Sequence, residues 1–147
     1  MLFIRQSIAD DMIAHARKEA PNEACGYLAQ KDGIVVRYYP MKNADESPEH
    51  FSFDPAEQFS VVRSIRDSGL KVAAVFHSHP ATPARMSQED IRLARDPSVG
   101  YVIASLADVK PVVAAFRMRN GTVAKEEIEI REETDAGNSR GCRPDGY

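Results

Sequence analysis

The run Lys71-Val72-Ala73-Ala74-Val75-Phe76, ending in His77-Ser78-His79-Pro80, constrains this chain more than any other stretch. An unbroken apolar run of this kind belongs to a strand covered on both faces. Alternate residues of a strand point to the same side, so His77 and His79 project together from its end. Two imidazoles side by side are a natural pair of ligands for a borderline cation such as zinc. Pro80 cannot donate to a sheet ladder and ends the strand. The segment Ser87-Gln88-Glu89-Asp90 follows. It reads as a helix N-terminus with Ser87 as cap and acids in the first turn. Asp90 becomes a third ligand if that helix folds back over the strand end. One more acid, Glu23 in Asn22-Glu23-Ala24-Cys25-Gly26-Tyr27-Leu28, stands far upstream.

The remaining periodicities build a mixed α/β domain around that strand. They predict a strand over 2–5 and a helix over about 7–20, with Ser7 as its cap and Ile8, Met12 and Ala16 on one face. Strands at about 24–30 and 34–39 flank the hairpin turn Lys31-Asp32-Gly33. Residues 40–50 read as an exposed loop. A short strand at 51–53 leads into a helix near 55–68, with Pro55 in its first turn and Phe59, Val62 and Ile65 inward. After the strand at 71–77 come the loop 80–86 and a helix from about 88 to 95. Strands at 100–106, 111–118 and 122–130 complete the domain, the last pair turning at Asn120-Gly121. Helices interleaved with strands and then hairpin-linked strands argue for a mixed sheet with helices packed on it. Residues 131–147 lack apolar periodicity and read as a flexible tail.

The composition fits a small enzyme. A chain of 147 residues is long enough to bury a core as one domain. A formal net charge of −3 gives no general attraction to nucleic acid or to an anionic membrane. No stretch reads as a signal peptide or a membrane span. The two cysteines, Cys25 and Cys142, lie in different contexts, one in a strand and one in the tail, which argues against a disulfide and for a reducing, cytoplasmic setting. Cys25 has no His placed to activate it and reads as a packing residue. His15 and His50 read as solvated surface residues. Arg85, Arg92 and Arg95 can hold a carboxylate-bearing substrate; a solvated helix face explains them equally well.

Taken together, Glu23, His77-Ser78-His79-Pro80, Ser87 and Asp90 resemble the signature of the JAMM (MPN+) metallopeptidases, a distal Glu followed by His-Ser/Thr-His-Pro and then Ser and Asp. The likeness extends to Glu23-Ala24-Cys25-Gly26-Tyr27-Leu28 and to Phe51-Ser52-Phe53-Asp54-Pro55, covering residues 1–130, with Met86 standing where the family often has proline. The resemblance implies the MPN, cytidine-deaminase-like fold, a mixed sheet flanked by helices, as a metallopeptidase domain over 1–130. It implies one Zn²⁺ per chain, held by His77, His79 and Asp90 with a fourth position open to water. Glu23 would be the general base, which requires its strand to lie beside that of His77. Ser87 would steady the oxyanion.

Family members are typically peptidases or isopeptidases acting after the C-terminal glycine of ubiquitin-like proteins. The lack of long insertions makes this chain similar to the small prokaryotic-type members, whose substrates are sulfur-carrier proteins ending in Gly-Gly. Two other readings remain: a non-catalytic MPN scaffold within a protein complex, and a zinc amidase acting on a small substrate.

Overall fold

Helix α1 (Gln6–Glu19) continues directly from strand β1 (Leu2–Arg5), and that continuity moves the helix start ahead of the expected cap. Arg5, not Ser7, occupies the N-cap position, without a side-chain cap bond. The computed structural model describes residues 1–132. Within them follow β2 (Cys25–Lys31), β3 (Ile34–Met41), α2 (Pro55–Asp67), β4 (Lys71–His79), α3 (Gln88–Leu93), β5 (Gly100–Ser105), β6 (Val112–Arg119), β7 (Thr122–Glu126) and β8 (Ile128–Arg131). The expected tail 131–147 lies outside the described residues from 133 onward, as does Cys142. Arg131 belongs to β8, its guanidinium 4.2 Å from the centre of the Phe3 ring.

Local chemistry accounts for most of the boundaries. The β2–β3 turn puts Asp32 at φ 52° and Gly33 at φ 83°, the paired left-handed residues of a type I′ hairpin. Asn120 (φ 53°) and Gly121 (φ 80°) do the same between β6 and β7. The Asp54 carboxylate accepts from the Glu57 N–H at 3.0 Å and caps α2, with Pro55 next to it. Residues 51–53 form no strand: Phe51 and Phe53 pack ring to ring in an irregular segment, their centroids 5.6 Å apart. Phe59 is 67% exposed, against the inward placement expected of it. The packed stripe of α2 is Val61, Val62 and Ile65, and Phe59 lies about 200° round the helix from Val61.

The eight strands form one mixed sheet in the order β7-β6-β5-β4-β2-β3-β1-β8. Pairs β4–β5, β1–β3 and β1–β8 are parallel and the others antiparallel. Strands β7 and β8 stand at opposite ends of that order, yet only Glu127 separates them in the chain. The sheet must therefore curl until its edges meet. The expected single strand 122–130 is broken at Glu127, whose carbonyl accepts the Leu2 N–H at 2.8 Å. On one face α1 packs Ile8, Ala9 and Met12 against Ile4, Leu28, Phe76 and Val102. On the other, α2 contributes Ile65 to a cluster with Cys25, Tyr27, Met41 and Leu70. Strands β2 and β4 lie between these layers. Their near-continuous burial is what the apolar run of β4 records.

Candidate metal centre and peptidase site

Alternation along β4 sends Phe76 and Ser78 toward the α1 face and His77 and His79 toward the opposite one. Strand β2 runs antiparallel beside β4 with Cys25 opposite His77. Ser78 extends that pairing one step: its N–H donates to the Ala24 carbonyl at 3.0 Å and its Oγ accepts the Ala24 N–H at 2.7 Å. Glu23, two residues before Cys25, thus emerges on the histidine side. The expected proximity of the Glu23 and His77 segments is present, and Ser78 is the residue that clamps it.

The third contributor arrives from α3. Beyond Pro80 the loop is pinned by the Ser105 hydroxyl, which donates to the Thr82 carbonyl at 2.5 Å, and by Ala84 and Met86 packed against Ile103, Ala114 and Phe116. Ser87 then caps α3 in a reciprocal arrangement. Its Oγ accepts the Asp90 N–H at 3.0 Å, while Asp90 Oδ2 accepts the Ser87 N–H at 3.0 Å. The helix-cap reading of Ser87 is therefore correct, and the same cap aims the Asp90 carboxylate at the histidines.

His77 Nε2, His79 Nε2 and Asp90 Oδ2 meet in a triangle with each pair 3.2 Å apart. Atoms about 2.0–2.1 Å from a tetrahedral zinc stand about 3.3 Å from one another, so this spacing fits such an ion. The protonation pattern fits as well. His79 Nδ1 lies 2.9 Å from the Pro83 carbonyl, an acceptor only, so Nδ1 carries the proton and the neutral ring turns a lone pair toward the triangle. Burial pushes the His77 pKa down and favours its neutral form. Burial opposes ionisation of Asp90, but hydrogen bonds from His77 and His79 hold its carboxyl well below the usual range. Two imidazole nitrogens and a carboxylate facing one another suit a cation between them. Without a metal a proton takes that place: His79 is raised, since its bonds to Asp90 and Pro83 outweigh the effect of burial.

Glu23 is 3% exposed, and its Oε1 is the buried side-chain oxygen without a hydrogen-bond partner among the described residues. Burial raises its pKa to about 8, with Asp90 and Glu89 adding to the shift and His79 opposing it. The group therefore titrates near neutrality and has an oxygen free for a reacting molecule, which suits a general base. Phe51 stacks on the His77 ring, centroids 4.8 Å apart and planes at 26°, and closes one side of the site.

Other residues fall outside the chemistry. Cys25 is fully buried, and burial together with Glu57 and Glu23 pushes its thiol up to about 12, so it packs as a neutral group. His15 is not the solvated residue expected: it is half-buried, its Nδ1 2.6 Å from the Tyr38 hydroxyl, which donates to the Cys25 carbonyl at 3.2 Å. His50 is exposed and bonds Asp45 at 3.1 Å. Arg85, Arg92 and Arg95 are exposed, without an ion-pair partner among the described residues, and Arg92 and Arg95 lie toward Met118 and the Asn120-Gly121 turn. A buried Asn43 is a site-building residue that reading by motif misses, and the contacts Phe51 and Ser78 make were not given by the motifs that contain them. Those of Asn43 and Phe51 depend on how the loop 42–53 folds over β2 and β4.

A family model described as prokaryotic homologs of the JAB domain matches residues 5–119. The chain is 36% identical over 136 residues to the CysO-cysteine peptidase of Mycobacterium tuberculosis, covering 90% of this chain and 93% of that protein. It is 34% identical over 104 residues to the probable TtuB-protein conjugate cleaving protease of Thermus thermophilus, covering 70% and 69%. The solution structure of protein DSY2949 from Desulfitobacterium hafniense superposes with a TM-score of 0.83 at 49% identity, over 90% of this chain and 94% of that one. A JAB1/MPN domain protein from Archaeoglobus fulgidus shares the fold, with a TM-score of 0.59 at 20% identity over 89% and 97%. With an MPN fold, a matching family model and peptidases as relatives, this chain belongs to the prokaryotic JAB-domain (JAMM) metallopeptidases.

Proposed function

We propose that this protein is a zinc peptidase that hydrolyses the amide bond after the C-terminal Gly-Gly of a small sulfur-carrier or ubiquitin-like protein. The observation that carries the hydrolytic reading is the pairing of the three-donor triangle with the unpartnered, buried Glu23 carboxylate. A complete donor set of this kind also weighs against a non-catalytic scaffold. The carrier substrate is supported by the relative named for cleaving a CysO-cysteine adduct. Glycine suits so enclosed a site, because a backbone without side chains can approach closely.

His77, His79 and Asp90 would hold one zinc ion per chain. When bound, zinc supplies Lewis acidity to a water molecule and to the scissile carbonyl. Glu23 takes a proton from the attacking water and delivers it to the leaving amine. The C–N bond breaks, the acyl carbon gains a hydroxyl oxygen and the amine leaves with the transferred proton. Ser87 Oγ accepts the Asp90 N–H, which leaves its own proton to donate to the developing oxyanion. The free, buried thiol of Cys25 suits a reducing cytoplasm.

The test is mass spectrometry of a β-grasp carrier extended beyond Gly-Gly by one cysteine. Release of that cysteine by the wild type, and not by Glu23→Gln, is the expected result. An intact adduct after prolonged incubation with zinc-loaded wild type, for several carriers and ubiquitin conjugates, would shift the assignment to an amidase of small substrates.

A further inference from the structure

The carboxylate of Glu23 has an oxygen without a hydrogen-bond partner among the described residues, so its aim depends on how its backbone is held. That backbone lies just before β2 and is fastened by the loop beyond β3. The Glu23 N–H donates to the Ser47 carbonyl at 2.9 Å, and the Glu23 carbonyl accepts from Asn43 Nδ2 at 3.1 Å. Asn43 is 5% exposed and its amide is fully engaged. Nδ2 also donates to the carbonyls of His50 at 3.1 Å and Ser47 at 3.4 Å. Oδ1 accepts the N–H groups of Asp45 at 2.9 Å and Ser52 at 3.4 Å. Three carbonyls around Nδ2 settle which end of the amide is which.

One side chain therefore ties together two parts of the site. It grips the backbone of Glu23, and it grips both neighbours of Phe51, whose ring lies on His77. We propose that Asn43 is a positioning residue for the hydrolysis, setting where the Glu23 carboxylate stands relative to the triangle of His77, His79 and Asp90. The inference rests on Glu23 being the base. Displacement by about 1 Å can cost a reaction about 100-fold, and no side-chain bond to Oε1 would correct a shifted backbone.

The decisive variants are Asn43→Ser and Asn43→Asp in the zinc-loaded full chain, with the Gly-Gly-cysteine carrier as probe. Asn43→Asp keeps the shape and the acceptor while replacing the donating amide, and it serves where Asn43→Ser fails to fold. The expected result is a kcat lower by about 10- to 100-fold, with KM and zinc content changed by less than about twofold. Hydrogen exchange at the amides of Glu23 and Asp45 should speed up. In a Glu23→Gln background the same substitution should cost nothing further, since the group it positions is gone. Unchanged kcat in a folded variant would overturn the proposal. So would an equal loss in the Glu23→Gln background, or loss of zinc in step with activity. Full activity of Glu23→Gln by itself would instead overturn the assignment of the base, and the positioning role with it.

Discussion

Burying a carboxylate oxygen that the protein leaves unsatisfied costs about 1–3 kcal/mol, and positions that bear such a cost tend to be functional. Glu23 and its three neighbours in the site lead to two predictions. If the proposed zinc is bound, His77→Ala and Asp90→Ala should each lose most of it, while Glu23→Gln keeps it and loses about 100- to 10,000-fold in kcat. Elemental analysis beside turnover measurements checks both. The second prediction concerns pH in the metal-free protein. The folded-state pKa of Glu23 is raised from its ordinary value of 4.5 to about 8, so the fold binds an extra proton between those limits. The stability this contributes is complete below about pH 4.5 and is lost as pH rises to about 8, by at most about 1.36 kcal/mol per unit. Urea unfolding of metal-free wild type and Glu23→Gln should therefore diverge, with the variant gaining relative stability from pH 5 to 8.5. Parallel curves would refute the shift. At this scale the sequence was most legible where chemistry sets spacing: His77, His79, Ser87 and Asp90 come from one 14-residue stretch. Asn43 and Phe51 were not legible, because their roles arise from a loop closing over strands distant in sequence.

Among the elements, the antiparallel pair β2–β4 brings Glu23 to the side of His77 and His79, and its close packing explains Gly26. A Cβ there would collide with the Tyr39 carbonyl oxygen and come within 2.6 Å of Tyr38 Cε1 and 2.8 Å of the Tyr38 hydroxyl. Tyr38 is held by His15 and by the Cys25 carbonyl, so it has little room to move. Gly26→Ala should destabilise the protein by about 1–3 kcal/mol or more, and a lowered thermal midpoint with reduced zinc affinity would show it. A midpoint unchanged within a degree would mean that the hairpin yields. Strand and hairpin positions were readable, since Asp32-Gly33 and Asn120-Gly121 encode turns directly. The inward face of α2 was misread at Phe59, because Val62 and Ile65 fit an i, i+3 pattern with Phe59 as well as they fit the true stripe with Val61. The packing of Val61, Val62 and Ile65 with Tyr27 and Leu70, and the Gln58 bond to the Tyr27 hydroxyl at 2.9 Å, show which side faces the sheet.

The whole molecule is held by a seam that reading 122–130 as one strand passed over. The three charges Lys125-Glu126-Glu127 interrupt the apolar pattern between Val123 and Ile128, and the chain crosses there from one sheet edge to the other. Ile128 packs against the main core from β8. Ile128→Asp should lower stability by about 2 kcal/mol or more while sparing the kcat of the fraction that stays folded, since the site is built from β2, β4 and α3. Chemical denaturation with activity measured below the transition checks this; a matching loss of kcat would mean the seam and the site are coupled.

The same seam imposes an order on how the chain becomes a protein. Leu2 finds its β8 partner only when Ile128 exists, so β1, though it precedes the other described strands, is among the last of them to be fully paired. The β2–β3 hairpin and its pairing with β4 need nothing beyond His79. The part of the sheet that carries Glu23, His77 and His79 can thus assemble while the edge of β1 still waits, and nascent chains should bring Glu23 beside the two histidines before they acquire protection against aggregation.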